Sequence, residues 1–373
     1  MNVLLTGART AIALELLRAL AAEGCRVWLS DCFARPPGAH SRLCAGWSAH
    51  PAPRRDPQGF LGAVAALVAR ERIELLIPTG EEALWLARDP ARLGCPALLE
   101  RLELLDALHH KLRFLELARA HGPVPRTWVV EDQAHLRGLL AREGALVLKA
   151  AYTRFGAGTR VVREPVSLPP RRGGWLAQEP IAGRELCTWS VARAGQVLAH
   201  VTYAPRQRFP LGPSYCFGRV EHPPAERLAR ALIGGLGFTG LLGLDLIATA
   251  DGRLFPLEAN PRATSGAHLF APADGLGRAL LGRGPAAPPS GGPGLHASMM
   301  LLHALPRALR SPRRLAAWSR DLLAGRDVLW RRDDPGPFLS QWRSAWHLLR
   351  EARRQGLSPR EVVSEATAWD GAP

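Results

Sequence analysis

Residues Leu241–Arg262 read LLGLDLIATADGRLFPLEANPR, two apolar segments separated by the pair Asp251-Gly252. A glycine tolerates the positive φ of a tight turn, so this pair predicts a β-hairpin with a two-residue loop. Ala250 would then pair with Arg253, and the positions of all facing residues follow from that pairing. The stretch therefore predicts two antiparallel strands in a defined register.

That register places Asp245 directly opposite Glu258. It also makes Ile247 and Pro256 a non-hydrogen-bonded pair, so that Pro256 need not donate across the ladder. Because side chains alternate along a strand, Glu258 and Asn260 share one face with Asp245. We therefore expect two carboxylates and an amide to meet on one side of the hairpin.

Two carboxylates directly opposite one another repel and destabilise a sheet. A divalent cation between them removes that penalty, and Mg²⁺ prefers oxygen ligands of this kind. The alternative is a surface hairpin with two solvated acids. The apolar neighbours and the following Pro261-Arg262, which places a cation just beyond the acids, argue for the metal site.

The composition limits the class of protein. A chain of 373 residues suggests two or three domains with ample core. No segment approaches the roughly 18 uninterrupted apolar residues that span a membrane. The start of the sequence, MNVLLTGAR, lacks the basic region of a signal peptide, and the cysteines show no metal-binding spacing, so we expect a cytoplasmic protein with reduced thiols. The cysteines are Cys25, Cys32, Cys44, Cys95, Cys187 and Cys216.

The net charge of +15 would ordinarily indicate a nucleic-acid or membrane partner. Only two of the 48 basic residues are lysines, however, namely Lys111 and Lys149, and only two asparagines occur, Asn2 and Asn260. This bias is typical of GC-rich coding, which replaces lysine by arginine wherever either serves, and it argues against a nucleic-acid partner. A phosphate pocket can require the compact charge of lysine, so the two that remain are candidate phosphate ligands.

The first 105 residues predict alternating strands and helices in a parallel, Rossmann-like sheet. The first turn lacks the glycines of a dinucleotide site. Thr79-Gly80-Glu81-Glu82 follows a strand at the edge where open sheets bind ligands, but it is equally an ordinary helix start. Residues 36–57 show no periodicity and predict a surface loop. The predicted elements are strands at Val3–Thr6, Arg26–Ser30 and Ile73–Pro78, and helices at Ala11–Ala22 and Gln58–Arg72.

Further along, Asp106–His121 predicts one helix carrying Lys111, and Ala145–Lys149 predicts a strand that ends in the second lysine. The segment AAYTRFGAGTRVV follows, and its glycines, Gly156 and Gly158, let backbone N–H groups approach phosphates. A plain hairpin is the alternative. Beyond Trp175–Ile181, a hairpin around Ala194-Gly195 leads into an aperiodic loop whose Arg206, Arg208 and Arg219 are candidate ligands for a substrate carboxylate.

The segment LEANPR, with an aspartate on the preceding strand, resembles the metal-binding hairpin of the ATP-grasp superfamily, in particular of enzymes related to biotin carboxylase and the carbamoyl-phosphate synthase large chain. The resemblance implies that Asp245, Glu258 and Asn260 hold two Mg²⁺ ions, with Mn²⁺ as a possible substitute, against the phosphates of ATP. It implies that Arg262 contacts the transferred phosphate or the acyl phosphate.

The same resemblance extends to the nucleotide. It implies that Lys111 and Lys149 reach the phosphates and that the loop bearing Gly156 and Gly158 closes over them. In WLAQEPI and the following Gly183-Arg184-Glu185 it implies an interdomain hinge. The residues at which it implies contacts to the adenine edge and the ribose hydroxyls are Glu179, Ile181 and Glu185.

The implied fold class is α/β, with an α+β nucleotide domain. We expect a Rossmann-like domain at 1–105, a two-lobed ATP-grasp domain at 106–280, a linker at 281–295 and a mostly helical region at 296–373. The resemblance says nothing about that last region. Its arginines predict a solvated face, and its tryptophans at 318, 330, 342 and 346 predict packing. His268 is a weak candidate for a substrate contact, and His222 is expected to be structural.

The expected activity is ATP-dependent activation of a carboxylate as an acyl phosphate, which an amine or a thiol then attacks. The alternatives are phosphorylation of bicarbonate, a non-catalytic ATP-binding protein and a basic nucleic-acid-binding module. The sequence identifies neither substrate, and it leaves a homodimer open.

Overall fold

A computed structural model describes residues 1–34, 36–153, 158–209 and 212–371. Within these residues the chain forms three β-sheets with helices packed around them. No helix among them is both long and apolar enough to cross a membrane.

The N-terminal sheet has four parallel strands in the order β3-β2-β1-β4. Its first helix, α1, begins after Thr10, whose side chain accepts a hydrogen bond from the Ala13 N–H, and it buries a leucine-rich face against the sheet. The parallel, Rossmann-like arrangement expected from the sequence is confirmed. The elements are β1 Asn2–Thr6, α1 Ala11–Ala22, β2 Arg26–Asp31, β3 Cys44–Ala49, α2 Pro57–Glu71 and β4 Leu75–Ile77.

The prediction of a surface loop over residues 36–57 is wrong, because β3 lies within it. This strand pairs only with β2 at the edge of the sheet and is only partly buried, so its sequence lacks the apolar run of an inner strand. Gly46 stands there because a Cβ would lie 2.2 Å from the ring of Trp28. A strand of small residues beside a tryptophan gives little periodic signal.

A second difference concerns the predicted helix Asp106–His121. His110 is extended (φ −76°, ψ 113°) and divides it in two, and its ring nitrogen accepts a hydrogen bond from the Arg113 N–H at 3.3 Å. His110 therefore caps a new helix, of which Lys111 is the first residue. The helices of this region are α3 Glu82–Leu86, α4 Leu102–His109 and α5 Lys111–Ala118.

The second sheet is a small antiparallel one in the order β5-β8-β6-β7, with its own apolar core beneath helix α6. Strand β6 carries Lys149, and strand β8 connects this sheet to the next. The elements are β5 Thr127–Val130, α6 Gln133–Glu143, β6 Leu146–Ala150, β7 Arg160–Val162 and β8 Trp175–Gln178.

The third sheet has seven strands in the order β13-β12-β9-β10-β11-β14-β15. Helix α7 packs on one face of it and contributes Leu228, Leu232 and Ile233 to a core shared with α4 and α5. His222 caps α7 by accepting a hydrogen bond from the Ala225 N–H at 3.2 Å, which confirms its structural role. The elements are β9 Arg184–Arg193, β10 Gln196–Arg208, β11 Ser214–Arg219, α7 Pro223–Leu236, β12 Gly240–Ala248, β13 Leu254–Asn260, β14 Gly294–Leu295 and β15 Arg326–Asp327.

The C-terminal part is helical, but it is not separate from the sheets. Strand β14 ends the predicted linker, and β15 pairs with it from within the predicted helical region. The domain boundaries drawn from the sequence therefore stay a prediction. The helices are α8 Leu276–Leu281, α9 Ala297–Met299, α10 Leu305–Ala308, α11 Pro312–Ala324, α12 Gly336–Gln355 and α13 Pro359–Glu365.

The expectation that the tryptophans at 318, 330, 342 and 346 pack against the protein is met only in part. Trp318 is partly buried against a small core. Trp330, Trp342 and Trp346 are 43%, 54% and 56% exposed, the last two on α12. The helical spacing was visible in the sequence, but which face of α12 meets the protein was not.

Candidate active site

The hairpin of β12 and β13 differs from the prediction at its turn. The Gly252 N–H donates to the Thr249 carbonyl at 3.0 Å, and the Thr249 N–H donates to the Arg253 carbonyl at 2.9 Å. The loop therefore has three residues, with Gly252 in the left-handed region at φ +83°. As a result Ile247 pairs with Phe255, and the predicted pair of Ile247 with Pro256 is wrong.

A β-bulge at Leu257 compensates for the longer loop. Leu246 pairs with Pro256, whereas the preceding Asp245 pairs with Glu258, so Leu257 is the extra residue. The predicted pairing of Asp245 with Glu258 is therefore confirmed, although neither the loop length nor the bulge was foreseen. Bulges re-aim side chains beside functional sites.

The two carboxylates form a coupled pair. Burial, repulsion by Glu258 and a hydrogen bond between the two groups raise the pKa of Asp245. Burial by itself would raise the pKa of Glu258 too, but the charges of Lys111 and Lys149 outweigh it and lower that pKa. Asn260 donates from Nδ2 to Asp245 Oδ2 at 3.2 Å. Of the two carboxylates, Asp245 is therefore the one that takes up a proton more readily, and a further cation beside the pair would favour its ionised form.

Both lysines of the chain lie beside Glu258. Lys111 Nζ is 3.2 Å from Glu258 Oε2 and donates to Thr153 Oγ1 at 2.9 Å. Lys149 is 7% exposed and donates to Gln178 Oε1 at 2.7 Å. Burial lowers the pKa of Lys149 to about 8, despite the attraction of Glu258. The scarcity of lysine therefore pointed to two residues that share one site.

Arg262 lies at the end of the hairpin. Its Nη2 donates to Asn260 Oδ1 at 2.7 Å, while its buried Nε has no hydrogen-bond partner among the described residues. An unpaired buried donor of this kind carries a free-energy penalty that an anionic ligand would relieve. The next residue, Ala263, donates its N–H to the Thr79 carbonyl at 3.2 Å, which joins the hairpin to the carboxyl edge of the N-terminal sheet.

In the segment Thr79-Gly80-Glu81-Glu82, the role of Glu82 is structural. Glu82 is 2% exposed, and its Oε1 accepts hydrogen bonds from the Thr6 hydroxyl and the Gly80 N–H, both at 2.9 Å. Glu82 therefore fixes the turn after β4 and does not face a ligand.

The glycine-bearing loop runs from β6 to β7. Gly158 adopts φ +77°, and a Cβ there would lie 3.5 Å from the ring of Trp175. Gly156 lies outside the described residues. Closure of this loop over phosphates stays a prediction.

Two of the proposed nucleotide-reading residues, Glu179 and Ile181, lie on the connection between β8 and β9, which links the second and third sheets, and the third, Glu185, lies on β9. The carboxylate of Glu179 accepts from the N–H and the Nε of Arg126 at 2.9 and 2.8 Å, so a charged partner occupies it. Ile181 is partly exposed on the same connection. Glu185 pairs with Arg208, and it shares a face with Asp245 because its strand neighbour is Ile247.

The three candidate substrate arginines are each paired with an acid. Arg208 pairs with Glu185, Arg206 lies 3.3 Å from Asp321, and Arg219 lies 3.2 Å from Glu221. All three line a cavity of about 440 Å³ together with Glu185. Neither Asp245 nor Glu258 lines this cavity, so the structure does not join these arginines to the carboxylate pair.

His268 is 2% exposed, and its Nδ1 lies 3.1 Å from Glu15 Oε2. It is therefore held in the interior by a buried acid. Gln178 and Thr153, the partners of the two lysines, were not identified from the sequence. Gln178 is a polar residue in the buried strand WLAQ, which was a usable signal, whereas Thr153 gave none.

The donor set fits magnesium. All the potential ligand atoms are oxygens of Asp245, Glu258 and Asn260, and a cation would offset the repulsion between the two carboxylates. Among the described residues no group of three or more His, Cys, Asp or Glu side chains could hold a metal ion. Mg²⁺ does not require such a group, because it binds through one or two carboxylates with substrate phosphates and water as the other ligands.

Comparison with known proteins gives a clear result only for structure. No family model matches the sequence, and the search of curated proteins finds no significantly similar one. Among solved structures, an ADP complex of N5-carboxyaminoimidazole ribonucleotide synthetase matches with a TM-score of 0.62 and 16% identity, covering 84% of this chain and 85% of that one.

Two further structures illustrate the range. The biotin carboxylase domain of 2-oxoglutarate carboxylase from Hydrogenobacter thermophilus, in complex with MgADP and bicarbonate, matches with a TM-score of 0.60 and 15% identity over 74% of this chain and 68% of that one. An L-amino acid ligase from Bacillus licheniformis matches with a TM-score of 0.58 and 14% identity over 75% and 74%. All three are ATP-grasp enzymes, and the chain therefore has the fold of the ATP-grasp superfamily.

Proposed function

We propose that this protein is an ATP-dependent, ADP-forming ligase that joins a carboxylate to an amine, or to a thiol. The observation that carries the proposal is the pair Asp245–Glu258, flanked by the only two lysines of the chain and by Arg262. A purely structural hairpin has no need to place two facing, partly buried acids beside two lysines.

Asp245, Glu258 and Asn260 are the residues that would hold Mg²⁺, or Mn²⁺, and the resemblance to ATP-grasp enzymes implies two ions. When bound, the metal supplies positive charge that offsets the charge of the phosphates. A cation would also lower the pKa of Asp245, since its attraction opposes the repulsion by Glu258.

Lys111 and Lys149 are proposed to bind the phosphates of ATP. Among the described residues the partners of the two ammonium groups are Thr153, Glu258 and Gln178, of which one is an acid. Phosphoryl transfer needs positioning and charge neutralisation more than covalent chemistry, and these residues supply both. Glu179, Ile181 and Glu185 are proposed to bind the adenosine part.

In the proposed reaction a carboxylate oxygen of the substrate attacks the γ-phosphorus, and ADP leaves. The amine then attacks the acyl carbon and phosphate leaves, so no protein nucleophile takes part. The unpaired Nε of Arg262 supports a role for this residue in donating to the transferred phosphoryl group or to the acyl phosphate.

The test is ADP release by the purified protein with Mg²⁺, ATP and a panel of carboxylic acids and amines, followed by mass spectrometry of the product. We expect release that depends on one acid and one amine. The variant Glu258→Gln should abolish it. Glu226→Gln is the matched control, because Glu226 is an exposed glutamate of α7 that pairs with Arg230. Release that ignores every acid and amine would contradict the proposal.

A further inference from the structure

The last described residues of the chain, Ala366–Gly371, form a segment that we name the C-terminal strap. The segment packs against the rest of the protein. Trp369 is only 4% exposed, and its ring meets that of Trp85 edge to face with the centroids 5.0 Å apart. The Trp85 indole donates to the Thr367 carbonyl at 3.1 Å, so a ring contact and a hydrogen bond attach the strap to the N-terminal domain.

The strap also reaches the nucleotide domain. The Trp369 indole Nε1 donates to Asp106 Oδ1 at 2.7 Å, and Tyr152 donates from its hydroxyl to the same oxygen at 2.8 Å. Gly371 adopts φ +77°, and a Cβ there would lie 2.8 Å from the Tyr152 hydroxyl. One carboxylate oxygen of α4 therefore joins the strap to Tyr152.

Tyr152 belongs to the segment that holds Lys111. Its two neighbours both bind that lysine, because the Lys111 N–H donates to the Ala151 carbonyl at 3.1 Å and Lys111 Nζ donates to Thr153 Oγ1 at 2.9 Å. The ring of His110, which caps the helix that Lys111 starts, meets the Tyr152 ring edge to face at 4.9 Å. The position of Tyr152 and the position of Lys111 are thus set together.

We propose that the C-terminal strap completes the nucleotide site: Trp369, through Asp106, fixes Tyr152 and so holds Lys111 beside Glu258. Trp369, Asp106 and Tyr152 are positioning residues, since none of them lies against the carboxylate pair. The inference rests on the proposed binding of ATP at Lys111. It assigns to the C-terminal strap a role in nucleotide affinity.

The decisive variant is Trp369→Phe, which keeps an aromatic ring against Trp85 and removes only the N–H that Asp106 accepts. We expect the dissociation constant for MgADP, measured by titration calorimetry, to rise about fivefold, which corresponds to about 1 kcal/mol. The KM for ATP should rise with it while kcat changes little, and the melting temperature should stay within a few degrees. Trp346→Phe, at an exposed tryptophan of α12, is the matched control and should change none of these.

A double-mutant cycle tests whether Trp369 influences nucleotide binding through Asp106 and Tyr152. If Trp369 acts through Asp106 on Tyr152, Trp369→Phe should have no further effect on MgADP affinity once Tyr152→Phe is present. If the effects of the two substitutions on MgADP affinity are additive, Trp369 does not act through Tyr152 and the proposal is wrong. A Trp369→Phe protein that melts earlier yet binds MgADP like the wild type would show that the strap is only structural. Wild-type protein that binds no MgADP would instead overturn the proposed function, and the strap with it.

Discussion

Lys149→Met should make the empty protein more stable while removing its activity. Lys149 is buried, and its pKa is lowered from 10.5 to about 8. Because one pH unit corresponds to about 1.4 kcal/mol, the folded protein holds the ammonium about 3 kcal/mol less favourably than the unfolded chain does. Methionine has a similar length and carries no charge, so it avoids this penalty.

Part of the gain is lost at Gln178. This residue is 3% exposed, and its Oε1 would lose the hydrogen bond from Lys149, which costs about 1–2 kcal/mol for a buried acceptor. The net stabilisation should therefore be about 1–2 kcal/mol at pH 7. The double variant Lys149→Met with Gln178→Leu removes the orphaned acceptor, although it leaves Thr127 without the donor it now accepts from.

The sign of the pH dependence follows from the direction of the shift. The folded pKa lies below the unfolded one, so the penalty is complete below about pH 8 and fades as the pH rises towards 10.5. Urea denaturation of both proteins at pH 7 and at pH 9.5 measures it, and the advantage of methionine should shrink at the higher pH. If Lys149→Met destabilises the protein at pH 7, the ammonium is well accommodated and the reasoning fails.

Three further predictions concern the ligands. Wild-type affinity for MgADP should weaken above about pH 8, as Lys149 loses its proton. The affinity of Lys149→Arg should depend less on pH. At pH 7 the kcat/KM of this variant should be at least about tenfold lower than that of the wild type, which corresponds to ~1.4 kcal/mol. Glu258→Gln should abolish turnover in an ADP-release assay with little change in melting temperature, because Asp245 can ionise in its place; wild-type turnover would remove the metal assignment. Glu185→Ala should raise the KM for ATP about tenfold, whereas Arg208→Ala, which removes only its ion-pair partner, should raise it less than threefold; equal effects would mean that Glu185 acts through Arg208.

The sequence predicted the parts of the site whose signals are local. Asp245 and Glu258 are 13 residues apart on one hairpin, and the alternation of a strand is enough to bring them together. The register was nevertheless obtained through two errors that cancel, a loop taken one residue too short and a missed bulge at Leu257. Neither has a signature that a single sequence reveals. Nothing in the sequence indicated that the two acids differ: the lysines lower the pKa of Glu258, whereas burial and Glu258 raise the pKa of Asp245.

Features that depend on distant residues could not be predicted. Trp369 and Asp106 are 263 positions apart, and nothing near either of them indicates a contact. The helix break at His110 could not be predicted either, because a histidine can cap a helix, as it does here, or lie within one. The prediction of an aperiodic loop around Arg206, Arg208 and Arg219 is wrong in part, because the first two lie on β10 and the third on β11. The pairing of Arg206 with Asp321, which is 115 positions away, could not be predicted from the sequence.

The central claim is that a substrate carboxylate attacks the γ-phosphorus of ATP at the Asp245–Glu258 site. It is tested most directly with a carboxylic acid, identified by the ADP-release panel, whose carboxyl group is labelled with ¹⁸O. The mechanism leaves one carboxyl oxygen on the departing phosphate, so mass spectrometry should find phosphate that carries one ¹⁸O atom, with ADP as the other product. Unlabelled phosphate, or AMP and pyrophosphate in place of ADP, would contradict the claim.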